Sequence, residues 1–274
     1  MQQQELIASL ERQAKTIRCL SMEMIANAGS GHPGGALSAA EIMSVLYFKV
    51  LRVDPAQPSW EDRDRFVLSK GHGTAAWYAA LCERGFFSRD ELKLFRQKGG
   101  ILQGHPDMRK VPGVDMTAGS LGMGLSAALG MALAAKMQNK SYHVYTLLGD
   151  GEIQEGQIWE AAMAAAHFKV DNLTAILDYN DVQLDGPTHQ IMEIAPVPEK
   201  WRAFGWETLE CDGHSVRELL AAFDQALAVR GRPCIIIAHT VKGKGVSFME
   251  NTCEWHGVSD PKRLPEALQE VLAE

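Results

Sequence analysis

Three short apolar runs constrain the fold more than any other feature of this chain. They occupy residues 142–148, 173–178 and 234–239, and each ends in a polar or glycine-rich turn. An uninterrupted apolar run of that length reads as a strand buried on both faces. Between the runs lie helical stretches: 155–168, dense in alanine, and 216–229. Ahead of them, residues 65–69 form a further short strand, and 5–28, 38–51, 74–83 and the small-residue segment 120–137 carry helical patterns. Strands alternating with helices build a parallel sheet covered by helices on both faces, an α/β fold. Residues 181–200 hold three prolines and read as an irregular loop. No internal repeat, low-complexity tract or long linker divides the chain, so residues 1–274 are expected to form one domain.

Composition narrows the class of partner. Against 27 basic residues stand 34 acidic ones, a formal charge of −7, which disfavours a nucleic-acid role. Five scattered cysteines without a CxxC pair suit reduced thiols in a cytoplasmic protein better than a disulfide framework. The polar N-terminus lacks a signal-peptide core, and the most apolar window, 121–135, is interrupted by Gly122, Gly124 and Gly130, so no membrane role is expected.

In an open parallel sheet, ligands bind beyond the carboxyl ends of the strands. Here those ends read Gly149–Asp150–Gly151, Asp178–Tyr179–Asn180–Asp181 and His239–Thr240–Val241–Lys242–Gly243–Lys244–Gly245. If the first two strands are neighbours, Asp150 and Asn180 both reach one hard cation. A carboxylate, an amide oxygen and a carbonyl make a sparse cage of the kind Mg2+ accepts when phosphate oxygens complete it. Glycines flanking Asp150 admit a bulky phosphate, and a helix starting near Glu152 would turn its positive end the same way. Gly-Asp-Gly alone is equally an Asp–Gly turn with a capping aspartate. A calcium loop is excluded because its alternating acids are missing. Gly119–Ser120–Leu121–Gly122–Met123–Gly124 has its glycines in the wrong order for a dinucleotide fingerprint. Four of the nine histidines, His32, His72, His105 and His256, adjoin glycine in loops. A single loop histidine is ordinarily a surface residue, but four beside a phosphate site point to imidazoles converging on one cleft, suited to proton transfer with sugar hydroxyls.

The loops together resemble the transketolase family: "SGHPGG" at 30–35, "LSKGHG" at 68–73, "QGHPD" at 103–107, "GSLGMG" at 119–124, "GDGEIQEGQIWEA" at 149–161, "VKGKGVSFMEN" from 241 and "WHG" at 255–257. The similarity runs in order from about residue 7 to residue 260. It implies thiamine diphosphate and Mg2+ as cofactors, with Asp150 and Asn180 binding the metal through side chains and Val182 through its carbonyl. Gly151, His72 and His256 would face the diphosphate. Gly119, Ser120 and Leu121 would line the thiazolium and pyrimidine end. His32 and His105 would contact donor hydroxyls, and His256 would take the hydroxyl proton. Glu155, otherwise an exposed acid in a helix's first turn, would join a carboxylate network between paired active sites. Lys242 and Lys244 stand either near phosphate or in a solvated loop.

The resemblance covers only the part of a transketolase that binds the diphosphate. It implies the N-terminal subunit of a two-chain enzyme acting on sugar phosphates. The pyrimidine-binding domain would sit on a C-terminal partner subunit, and two copies of each chain would form a heterotetramer. Rival readings are a subunit of another thiamine diphosphate enzyme, of the 2-oxo acid dehydrogenase or deoxyxylulose-phosphate synthase kind, a transketolase for a specialised sugar phosphate, and a degenerate scaffold.

Overall fold

A computed structural model describes residues 2–273. The chain opens with a long helix, α1 (Gln2–Ala28), then two short ones, α2 (Pro33–Leu37) and α3 (Ala40–Val45). Strand β1 (Arg65–Leu68) leads into α4 (Thr74–Arg84), and α5 (Met123–Met137) precedes β2 (Val144–Gly149). Next come α6 (Gly156–His167), β3 (Leu173–Tyr179), α7 (Thr188–Ile191), α8 (Val197–Ala203) and β4 (Glu207–Asp212). The chain closes with α9 (Val216–Ala228), β5 (Cys234–His239) and α10 (Leu264–Ala273).

The five strands form one parallel sheet in the order β1-β2-β3-β5-β4. Its inner strands are buried almost end to end, as their uninterrupted apolar sequences require. Helices α1, α3, α4 and α9 pack one apolar face, around Trp77, Phe66 and Phe223. Helices α5, α6 and α8 cover the other, around Trp201, Ile158 and Leu125. A smaller cluster seats α10 on α1 through Val271, Met22 and Met249. The strand order advances from β1 to β3, jumps to the edge at β4 and returns to β5. The chain therefore turns back at the edge strand β4, and the carboxyl ends of the five parallel strands all lie along one edge of the sheet, the edge where an open parallel sheet binds ligands.

Several local expectations are corrected. The helix anticipated over 38–51 runs from Ala40 to Val50, as α3 followed without a gap by a π-helical turn, Leu46–Val50, and is preceded by the separate short helix α2. Ser38, between α2 and α3, turns its hydroxyl to Asp178 and to the Gly35 carbonyl. The proline-bearing stretch 181–200 is not irregular throughout: it contains α7 and the start of α8, whose proline occupies the first helical turn, where a missing N–H costs nothing. No helix starts at Glu152. A single 3-10 turn, Gly151–Gln154, intervenes, and α6 begins at Gly156.

Helix α5 provides a test of the packing at the strand ends. Glycine in a helix ordinarily costs about 0.5–1 kcal/mol relative to alanine. At Gly130 a methyl group would meet nothing, so Gly130→Ala should stabilise by about that amount. At Gly124 it would come within 2.6 Å of the Ser69 backbone, because α5 begins directly against the end of β1. Gly124→Ala should instead destabilise by about 1–3 kcal/mol. Denaturant unfolding of the two variants should move in opposite directions.

Candidate functional site

One carboxylate ties the strand ends together. Asp178, at the end of β3, is fully buried and pairs with the ammonium of Lys70, which follows β1. It also accepts hydrogen bonds from the Ser38 hydroxyl at 2.6 Å and from the Thr240 hydroxyl beyond β5. Lys70 in turn donates to the Gly35 carbonyl at 2.9 Å. Burial opposes ionisation of Asp178, but the Lys70 charge and these hydrogen bonds hold its carboxyl below the usual range. A second buried carboxylate, Glu152, accepts from Gly149 N at 3.0 Å, Gly122 N at 2.9 Å and the Ser69 hydroxyl. It joins the ends of β1 and β2 to the start of α5.

Within this frame Asp150 stands at the tip of β2, only 3% exposed. Its two oxygens accept from Gly151 N at 2.7 Å and Asn180 N at 2.9 Å. It therefore caps its own turn and faces the β3 loop. Burial, and then the neighbouring Asp178, push its carboxyl up to about 6. Asn180 is buried beside it, and its side-chain oxygen accepts from Val182 N at 3.3 Å. The Val182 carbonyl accepts from the Lys242 ammonium at 2.6 Å, so a cation already sits on that oxygen. Lys242 is buried and meets His256 Nδ1 at 2.9 Å; burial lowers its pKa to about 8. These observations fit a divalent cation. The donors are hard oxygens, the carboxylate is short of positive charge, and few protein ligands leave room for phosphate oxygens. At Gly151 a methyl group would press on the Gln183 side chain at 3.0 Å, so a larger residue here would have to push Gln183 of the β3 loop aside.

Three imidazoles form a triangle above the metal-fitting corner. Ring centres lie 5.2 Å apart for His32 and His72, 5.2 Å for His72 and His256, and 5.8 Å for His32 and His256. Burial and the nearby Lys242 charge lower His256 to about 3. Burial, followed by the charge of Arg96, brings His32 to about 4. Burial and Lys70 hold His72 well below the ordinary value. All three are therefore neutral at physiological pH. A cavity of about 470 Å3 runs along this surface. It is lined by His32, His72, His105, Gly119, Leu121, Asp150, Gly151, Glu155, Asn180, Val182 and His256, nearly every residue singled out from the sequence. Ser120 is exposed between two lining residues and does not line the cavity itself. His105 and Glu155 are exposed at its rim, with Glu155, just ahead of α6, packed against the left-handed Gly122.

Sequence reasoning does not single out Lys70, Asp178 and Glu152 as functional residues, and it leaves Lys242 open between phosphate and solvent. A usable signal is present nonetheless: a charge within or directly after a buried strand demands a partner.

Comparison with known proteins gives a consistent picture. The family described as "Transketolase, thiamine diphosphate binding domain" matches residues 9–263. A 6-deoxy-6-sulfo-D-fructose transketolase subunit of Clostridium sp. is 48% identical over 249 residues, covering 91% of this chain and 90% of that protein. An apulose-4-phosphate transketolase subunit of Phocaeicola vulgatus is 42% identical over 97% of this chain and 94% of that protein. The solved transketolase from Leishmania mexicana superposes with a TM-score of 0.90 at 34% identity; the match covers 96% of this chain but only 41% of that one.

The depressed histidines make acid stability a test of the cluster. In the unfolded chain His32 and His256 take up protons near 6.5, but in the folded chain only near 4 and 3. The stability they contribute is complete above pH 6.5 and lost as pH falls towards those lower values. The loss is at most ~1.4 kcal/mol per pH unit for each group. His256→Gln should give a shallower fall in unfolding free energy between pH 6.5 and 4; an unchanged slope would remove His256 from the buried cluster.

Proposed function

The chain belongs to the transketolase family through its thiamine diphosphate-binding domain, and on that premise we propose that it is the cofactor-holding subunit of a two-chain transketolase. The reaction would move a two-carbon ketol unit from a ketose to an aldose. The observation that supports this reading is the convergence of Asp150, Asn180, the Val182 carbonyl, Lys242 and three neutral imidazoles on one cavity at the strand ends.

When bound, thiamine diphosphate supplies the nucleophile that attacks the ketose carbonyl and the ring that accepts the resulting charge. The residues of this chain bind, orient and move protons. Asp150 and Asn180 would hold Mg2+ with the Val182 carbonyl, and Lys242 would neutralise the diphosphate. Gly151 and His72 would border the diphosphate, and Gly119, Ser120 and Leu121 the rings. His256 meets Lys242 through Nδ1, which leaves Nε2 for a substrate hydroxyl. It is assigned the proton transfer that accompanies carbon–carbon cleavage. His32 and His105 would orient donor hydroxyls, and Glu155 would reach across to the paired site.

The whole chain, residues 1–274, is assigned to the diphosphate-binding domain, with the pyrimidine-binding domain on a partner subunit. Family pairing of active sites makes two of each chain the expected assembly. All five cysteines are free thiols, which supports a cytoplasmic setting, and no helix of the described residues is long and apolar enough to cross a membrane. The relatives named above act on sugars carrying a sulfonate or a phosphate. A ketose with an anionic tail is accordingly the proposed donor class.

The test is copurification of the tagged chain with its partner, then assay of the pair with thiamine diphosphate and Mg2+. Ketose phosphates or sulfonates should turn over and 2-oxo acids should not; robust turnover by this chain alone, or a preference for 2-oxo acids, would contradict the proposal. In the assembled pair His256→Ala should lower kcat by about 10²–10⁴-fold with the cofactor retained. Asp150→Ala should abolish cofactor binding itself, as read by quenching of intrinsic fluorescence.

A further inference from the structure

Lys242 does not hold its position unaided. Strand β5 ends at His239, and Thr240 N still reaches back to the Tyr179 carbonyl at 2.9 Å. The next amide, Val241 N–H, lies beyond the sheet, and it donates to His214 Nε2 at 2.8 Å. An imidazole accepting at Nε2 carries its proton on Nδ1, and His214 Nδ1 lies 2.9 Å from the Glu41 carboxylate of α3. The same Glu41 oxygen accepts from the Arg18 guanidinium of α1 at 2.6 Å. Arg18 and Glu41 are 4% and 6% exposed, and Arg18 Nε is directed to the Leu37 carbonyl at 3.3 Å. The carboxylate thus selects the tautomer of His214 that can accept the Val241 amide.

The approach of His214 depends on the glycine before it. A methyl group on Gly213 would lie 2.4 Å from the Thr240 side chain and 3.0 Å from the His239 carbonyl. Only glycine lets the turn after β4 lie so close to the turn after β5. On the far side of Lys242, Gly243 N donates to the Gly34 carbonyl at 3.0 Å, and Asn251 N to the Lys242 carbonyl at 2.9 Å. The stem of Lys242 runs over Gly34, where a methyl group would be 3.1 Å from it.

We propose that His214 is a positioning residue: held by Glu41 and Arg18, it fixes the Val241 amide and so aims the Lys242 ammonium at the Val182 carbonyl and His256. This rests on the reading of that corner as the diphosphate and metal site. His214 touches none of the reacting groups and acts through the backbone.

Two substitutions separate this role from simple packing. In His214→Gln the longer amide places an oxygen near the former Nε2 and keeps an acceptor for Val241 N–H. In His214→Asn the shorter amide reaches Glu41 but not Val241. Amide hydrogen exchange on the full chain without ligand should accelerate about tenfold or more at 241–243 in His214→Asn and stay close to wild type in His214→Gln. Thiamine diphosphate titrated with Mg2+ should bind about 10–100-fold more weakly to the Asn variant and within about threefold of wild type to the Gln variant. Equal behaviour of the two variants, or wild-type protection in His214→Asn, would overturn the proposal. Nitrogen chemical shifts of His214 in the unaltered chain give an independent check: a proton on Nδ1 is expected, and a proton on Nε2 would refute it. Failure of the unaltered chain to bind the cofactor would count against the diphosphate site, whereas the exchange and tautomer results test His214 on their own.

Discussion

The buried ion pair between Lys70 and Asp178 organises the whole site. A lone charge in a sheet interior would be untenable, and a buried pair is tolerated only when the remaining hydrogen-bonding capacity is met. Here it is met from every side. Asp178 receives Ser38 and Thr240 in addition to Lys70, and Lys70 finds the Gly35 carbonyl. The segments after β1 and β5 and the turn between α2 and α3 are thereby gathered onto the end of β3. Loss of either charge would leave the other uncompensated, at a cost of about 3–5 kcal/mol.

The pair also sets the electrostatics next door. Asp178 claims Lys70, and its own negative charge then adds to burial in raising Asp150 to about 6. Of two carboxylates at adjacent strand tips, one is internally neutralised and one is held in want of a cation. Lys242, on the Val182 carbonyl, supplies part of that charge from above. Burial together with these two lysines keeps His72 and His256 neutral, so this corner sets ammonium charge beside uncharged imidazoles. In the proposed function, attraction for an anionic cofactor and readiness for proton transfer would arise from one distribution of charge.

Much of this is legible in the sequence. The runs at 142–148, 173–178 and 234–239 announce the inner strands because burial on both faces leaves no polar alternation to confuse them. The ends of those strands announce Asp150 and Asn180 because an open parallel sheet places its ligands there. Strand β4 is not foreseen: its sequence, Glu207–Asp212, mixes acids with half-buried residues, as an edge strand can. Helix α10 lies outside the segments that read as helical. The Asp178–Lys70 pair and the Arg18–Glu41–His214 chain stay hidden for a different reason. Their partners are far apart along the chain and meet only once α1, α3 and the strand ends are assembled. In the sequence His214 reads as a structural or surface residue, and nothing local to it indicates that its acceptor nitrogen completes the backbone next to Lys242.

The central claim is that the tips of β2 and β3 hold a divalent cation that in turn holds a diphosphate. Crystals of the chain grown with thiamine diphosphate and Mn2+, measured at the manganese absorption edge, test it most directly. An anomalous peak at coordination distance from Asp150, Asn180 and the Val182 carbonyl, bridged to diphosphate oxygens, is the predicted result. Cofactor and metal bound elsewhere, or a diphosphate seated in this cavity with no peak beside Asp150, would contradict it.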